Sequence, residues 1–446
     1  MGTLTTAMLS VARTRRAMFG IAASFFIQAF IGVSWLPRIP EIIDNLGVSF
    51  ATWGLIVGLA GIGNLIPLLF VNSLINRFGT RPLLQIALVI TAVANVCLGL
   101  VTNPWVFFVA IFVQNFGWGV YNISVNSHSV VFQNRIGRVI LGRFHASWSI
   151  GAAISALLTG FFAAFTPLHT YLLGVSIVST VIGLAGMSQM LGPKEDGHED
   201  EKKRAEPVPL AKTPGYVLML ALGLFCAVQP EATVMDWGAV FAKKSMMLGT
   251  SLQAVPYTLF VVSMIVARLS IGRLSRRRHL NRIGQVAAFG GAISLTLAIV
   301  LGASLAHVSP VLALSVTAIF WIFTGLASGP QVPAIFSIAG SVEGITTAQA
   351  MSRMSLVNSA MLLSAKVLLG AIAQGAGVPF LFAIPVCAYV GSVFISGYVL
   401  RRAKRLADSQ AIEPDIDENP VIDENDAFEA FPVTAPVGVV GDEFEK

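Results

Sequence analysis

Charge is scarce in this chain. Only 12% of its 446 residues are Asp, Glu, Lys or Arg, where a soluble domain carries roughly a quarter. Cysteine is scarcer still. Cys97, Cys226 and Cys387 all fall inside apolar runs, which excludes a disulfide framework and a thiolate metal site. Nucleotide-binding signatures are missing. Gly58, Gly61 and Gly63 lie within an apolar span as packing glycines, not in a turn between strand and helix. No Walker-type phosphate loop is present, so direct use of ATP, an enzymatic activity and a cofactor are not expected. No small-residue cleavage site follows the first apolar run, where Trp35, Pro37 and Pro40 stand instead, so a cleaved signal peptide is not expected either.

What the chain has is apolar length. It is 55% hydrophobic, with a mean hydropathy of +0.76. Twelve apolar stretches fill it from about residue 17 to about residue 400: 17–37, 51–73, 81–102, 104–131, 140–165, 170–191, 215–240, 251–272, 283–305, 308–330, 346–372 and 378–400. Each is long enough to cross a bilayer as a helix, which needs about 20 residues. The expected fold is therefore an all-α polytopic membrane protein of twelve transmembrane helices in two six-helix halves. The first half is 1–191 and the second 215–405. A mixed-charge, proline-bearing linker, 192–214, joins them, and an acidic tail, 406–446, is expected to be disordered. Gly- and Ala-rich runs such as Gly151–Gly160 suit helices that pack closely in lipid.

The net charge of +6 conceals an asymmetry. Residues 1–406 hold 28 of the 29 Lys and Arg but 11 of the 23 acids. The basic residues flank the spans, so they read as topology anchors and not as a nucleic-acid surface. Arg13, Arg15 and Arg16 precede the first span; Arg77 and Arg81 sit in the second turn; Arg276, Arg277 and Arg278 sit between spans 8 and 9; Arg401, Arg402, Lys404 and Arg405 follow the last. The other side holds only Arg38, Lys243 and Lys244. Both termini and the linker are expected to be cytoplasmic. The two halves also repeat faintly: basic turns fall at corresponding places, and GRFHASWS from Gly142 has a counterpart in SRMSLVNS from Ser352. Two related halves about an axis along the membrane normal would explain this, as in secondary transporters.

The turn after the second span, NRFGTR, resembles the loop signature of the major facilitator superfamily, G-x-x-x-D-R-x-G-R-R. Asn72 stands at the first Gly position and Asn76 at the Asp. Arg77, Gly79 and Arg81 match, and Thr80 replaces an arginine. GWGVYNISVN in span 4, GRFHASWSIGA in span 5 and PEATVMDWGAVF in span 7 are similar to the fucose-permease-like branch, where span 4 often carries an acid and an Asn four residues apart. Here that pair is Asn122 and Asn126, so the span-4 carboxylate is replaced by an amide. The resemblance implies alternating access around a midplane site and gating by the loop residues Asn76, Arg77, Gly79 and Arg81, with Arg268 joining them at the inner end of span 8.

Several intramembrane polar residues are candidates for chemistry. Glu231 is the sharpest, because a charge at a helix centre costs about 2.5–3.5 kcal/mol on insertion scales. It is read either as a proton-coupling group or as a static ion pair with Lys366, which lies at similar depth. Pro230 before it favours a local kink. His145 suits a proton relay or substrate contact, or else a structural hydrogen bond to Asn126. Asn122 and Asn126, one helical turn apart, would hold a polar substrate or glue helices together. Gln28 and Gln229 are amides near mid-depth. Trp118, Trp148 and Trp321 would stack on substrate or simply pack, whereas Trp35, Trp53, Trp105 and Trp237 read as interfacial aromatics. Arg353 would meet an anionic substrate or snorkel to the inner gate.

The expected function is proton-coupled uptake of a small polar solute, a sugar or related metabolite, in a bacterial cytoplasmic membrane. The expected partners are that solute, protons and lipid, with no nucleic acid, no metal and a monomeric state. Two rivals stand beside it: a drug or metabolite exporter working as a proton antiporter, and a non-transporting sensor or scaffold acting through the acidic tail.

Overall fold

The computed structural model describes residues 10–137, 140–192, 195, 215–250, 252–275, 280–339 and 347–410. Most of the linker, the Arg276–Arg278 turn and the tail beyond Gln410 lie outside the described residues. Among the described residues twelve principal helices build the bundle: α1 Val11–Gly32, α2 Phe50–Ala60, α3 Thr80–Leu100, α4 Pro104–Ile136, α5 Leu141–Phe162, α6 Leu168–Ser188, α7 Gly215–Lys244, α8 Val255–Ser275, α9 Leu280–Ala306, α10 Pro310–Ser328, α11 Thr347–Gly375 and α12 Ala383–Gln410. Eleven of the segments they form are long and apolar enough to cross a membrane. The twelfth, α5, is 22 residues long but carries Arg143, His145, Ser147 and Ser149 in its first half.

Local chemistry sets the ends and breaks. Ser10 caps α1 by accepting from the Arg13 N–H, Asn103 accepts from Trp105 and Val106 at the start of α4, and Ser309 accepts from Leu312 at the start of α10. The second span is not one helix. After Ala60 it tightens into 3-10 turns at Gly61–Asn64 and Ile66–Leu69 and resumes as a short helix, Val71–Phe78. Gly61, Gly63 and Pro67 explain the change, since glycine relaxes the backbone and proline removes a donor. The tenth span likewise breaks at Gly329–Pro330 and continues as Gln331–Ala339. α7 runs unbroken through Pro230. Between the first and second spans, after Arg38, the chain forms a short helix, Ile39–Leu46. α12 reaches Gln410, so the first five residues of the expected disordered tail are helical.

The packing repeats when six is added to each helix number. α1 packs on α5 and α6, α3 on α4 and α6, and the α2 segment on α4. In the second half α7 packs on α11 and α12, α9 on α10 and α12, and α8 on α10. Between the halves, α2 meets α11 and α5 meets α8, contacts that the same operation exchanges. Glycine makes the first of these close: a Cβ on Gly370 would lie 2.5 Å from the Phe50 carbonyl oxygen and 2.7 Å from the Gly54 Cα.

Both helices meet near one face of the bundle. There the Phe50 N–H donates to Gln374 Oε1 at 3.1 Å, Lys243 and Lys244 both reach Asp44, and Phe50 lies edge-on to Trp237 at 5.9 Å. The other face carries the start of α1 and the ends of α4 and α6, and is called here the terminal face. Trp53 and Trp237, expected at a lipid interface, are fully buried, and Trp35 is 9% exposed. The halves close over them. Trp105, at the start of α4, is 80% exposed.

Candidate functional site

A cavity of about 350 Å³ lies between the halves. Its inner end, near Trp35, Val57 and Asp236, sits beneath the closed face, and it extends toward the terminal face as far as Leu68, Val332 and Phe336. The two walls differ in kind. The first half contributes apolar side chains and the amides Asn64, Asn115 and Asn122. All four ionisable lining groups, Glu231, Asp236, Arg268 and Lys366, come from the second half, beside Ser355, Asn358 and Ser359.

These charges form two ion pairs. Arg268 Nη2 donates to Glu231 Oε2 at 2.5 Å, with side chains 10% and 9% exposed. Lys366 Nζ donates to Asp236 Oδ2 at 2.5 Å, with side chains 27% and 12% exposed. The expected Glu231–Lys366 pair is therefore replaced. Five residues along α7 advance Asp236 by about 7.5 Å toward the closed face. That brings Asp236 level with Lys366 and leaves Glu231 opposite mid-helix Arg268. Arg268 accordingly lies in the cavity wall and not at a gate with Arg77 and Arg81. At the loop, Asn76 and Arg77 are exposed, Arg77 covers the Phe78 ring at 5.1 Å, and Arg81 is half-buried. Gly79 has φ +78° with its N–H bonded to the Ile75 carbonyl at 2.7 Å, a turn that a side chain would strain.

On the first half, Asn122 is the hub of a small amide cluster. Its Oδ1 accepts from Gln28 Nε2 at 3.3 Å and from Asn126 Nδ2 at 3.2 Å, and Asn126 also donates to the Asn122 carbonyl at 2.8 Å. Of the three amides, Asn122 lines the cavity; Gln28 and Asn126 stand behind it. The other candidates lie apart. Gln229 is buried and donates to Thr233 Oγ1 at 3.0 Å. Trp321 is wholly buried between Phe241 and Phe382. Trp148 packs on the Ala29, Val33 and Ala152 cluster. His145 does not reach Asn126; it lies edge-on to Phe25 at 5.1 Å, with Nε2 buried and without a partner. Arg353 is 6% exposed in α11 and is not a lining residue.

Asp236, Asn64, Asn115, Ser355, Asn358 and Ser359 line the cavity without having been candidates from the sequence. An intramembrane acid is as costly at Asp236 as at Glu231. The amides and serines carry no such signal, because most such residues satisfy themselves within their own helix.

Twelve helices in two similar sixes, enclosing a partly charged cavity closed on one side, define a polytopic membrane transporter. The sequence matches the Major Facilitator Superfamily over residues 17–341, and the chain belongs to that family. It is 24% identical over 362 residues to an uncharacterized MFS-type transporter of Yersinia pestis, covering 79% of this chain and 87% of that one. A transporter of Sinorhizobium fredii is 25% identical over 288 residues, covering 64% and 74%. Among solved structures, the nucleoside transporter NupG aligns with a TM-score of 0.66 at 15% identity, over 86% of this chain and 98% of that one. A bacterial homolog of the human lysosomal transporter Spinster, inward-facing and unoccupied, aligns at 0.64 and 13% identity, over 87% and 96%. At these identities the structural likeness speaks for the fold alone.

Proposed function

We propose that the protein takes up a small polar solute, a sugar or related metabolite, together with protons, by rocking its two halves about the central cavity. The observation that carries this is the Glu231–Arg268 pair, set at mid-depth in a cavity that is closed toward one face and extends toward the other. A carboxylate there can exchange a proton with whichever side the cavity meets, and its charge is balanced by one arginine. The amides Asn64, Asn115 and Asn122 supply donors and acceptors for an uncharged polar surface. The terminal face is the cytoplasmic one in this reading, following the excess of Lys and Arg around it. NupG, whose fold is shared, carries nucleosides, which are also small and polar; that supports the size class.

Right-side-out membrane vesicles test the proposal. Accumulation of solutes should follow an imposed inward proton gradient and collapse with a protonophore. In Glu231→Gln the rate should become insensitive to external pH and fall at least tenfold under a gradient, while solute exchange at equal pH persists. Gradient-driven accumulation that survives in Glu231→Gln removes the coupling role from this residue. Efflux in place of uptake turns the reading toward an exporter.

A further inference from the structure

Arg268 is only half used. Its Nη2 is committed to Glu231, but Nη1 is buried and makes no hydrogen bond, in a side chain only 10% exposed. A guanidinium presents paired donors in one plane, a geometry that fits the two oxygens of a carboxylate. Buried donors are normally satisfied, so an orphaned one in a cavity wall points to a partner that comes and goes. Asn358 on the same wall has a matching vacancy of opposite sense: its Oδ1 is buried and accepts nothing. Across the cavity stand three amides and no charge. One end of the solute is thus addressed by an arginine, and the rest by groups suited to hydroxyls.

The charge balance completes the argument. Glu231 and Asp236 cancel Arg268 and Lys366. An anion entering this low-dielectric space adds a charge that nothing offsets. A proton on Glu231 removes that excess and releases Nη2, so that neither terminal nitrogen of Arg268 is then committed to a carboxylate of the protein. The titratable groups near Glu231 are Arg268 and Tyr257 from α8 and Tyr389 from α12; Asp236, on its own helix, is paired with Lys366 from α11. Among the described residues of the first half, no charged group lines the cavity.

We infer that the solute is a hydroxylated monocarboxylate whose carboxylate takes the Arg268 fork while Glu231 accepts one proton from the aqueous phase. The hydroxyls rest on Asn358 and the facing amides. Proton and anion enter together and leave together, and no covalent bond of the solute changes. The inference rests on the uptake reading above and narrows its solute class.

Matched probes test it on the purified full chain: D-gluconate and D-galactonate against D-glucose and D-galactose, by calorimetry between pH 6 and pH 8. The acids should bind at least tenfold tighter than the sugars. Their affinity should rise up to tenfold for each unit of pH lowered, the limit for one linked proton. Glu231→Gln should keep acid binding with a flat pH profile. Arg268→Gln should lose it at least tenfold, and Arg268→Lys should recover part. A merely structural pair would instead weaken binding in both Gln variants. Preference for the sugars, a pH-independent wild type, or no binding of either acid to folded protein overturns the inference. Proteoliposomes carrying the same probes keep the two claims apart. Counterflow of sugars without acids sinks the acid assignment and leaves transport standing; no counterflow of any probe sinks both.

Discussion

The second ion pair shows how much one side chain carries. Asp236 is 12% exposed and Lys366 is 27% exposed, so the acid is more deeply buried than its partner. Removing one member of a buried pair typically costs about 3–5 kcal/mol, because the other charge is left uncompensated. Lys366 lines the cavity and is the more exposed partner, so Lys366→Met should fall toward the lower end of that range. Adding Asp236→Asn should restore most of the loss, and a double-mutant cycle by thermal unfolding in detergent reads the coupling. Strictly additive losses would mean that the pair contributes nothing as a pair. Glu231 and Arg268 are the more buried of the two pairs, which places the strongest local field at mid-depth, where a proton and a solute would meet.

Among the elements, the α2–α11 crossing decides which face is closed. Gly54 and Gly370 let the two backbones touch, and the Phe50–Gln374 hydrogen bond lies at the same end. Gly370→Leu isolates this contact. On intrinsic propensity alone the change favours α11 by about 1 kcal/mol, so any loss must come from the crossing. The added side chain should hold the halves apart at the closed face. A cysteine placed at Gln374 should then react several-fold faster with a membrane-impermeant thiol reagent, and solute uptake should drop more than tenfold. Unchanged labelling with full uptake would show that the crossing is not part of the moving interface. The breaks at Gly61–Leu69 and Gly329–Pro330 belong to the same scale. Both fall in helices that line the cavity, and in each case a proline or glycine accounts for the change of direction.

For the whole molecule, Glu195 ties the terminal face of the first half together. It pairs with Arg13 of α1 at 2.5 Å, accepts from the Gly192 N–H at 2.9 Å, and its carbonyl accepts from Arg135 of α4. Arg13 also donates to the Gln189 and Met190 carbonyls just after α6. The Arg13 hydrogen bond holds the Glu195 carboxyl below its ordinary value of 4.5, against the opposing effect of partial burial. A lowered carboxyl contributes stability that is full above its unfolded value and is lost as pH falls through its folded value. Thermal unfolding between pH 5 and pH 3 should therefore drop more steeply in the wild type than in Glu195→Gln. Equal slopes would remove Glu195 from the acid response. The clasp joins α1, α4 and the end of α6, all within one half, so it stiffens that half as a body without bridging to the other.

Twelve spans and their division into sixes were legible in the sequence because the bilayer imposes them one segment at a time. Apolar length, basic flanks and capping residues need no neighbour to be read. The family was legible too, in the NRFGTR turn, and Glu231 stood out because an acid in hydrocarbon is costly wherever its helix packs. Which charge meets which was not legible. Pairing depends on the rotation and axial offset of α7 against α8 and α11, and an error of a few residues in depth exchanges Arg268 for Lys366. For the same reason the residue types of Trp321, Trp148 and Gln229 suited a cavity, yet none of the three is among the residues that line it. The chain by itself determined a membrane-spanning bundle with a buried acid. The tertiary structure alone decided what that acid touches, because a contact between helices is fixed by the geometry of both surfaces at once.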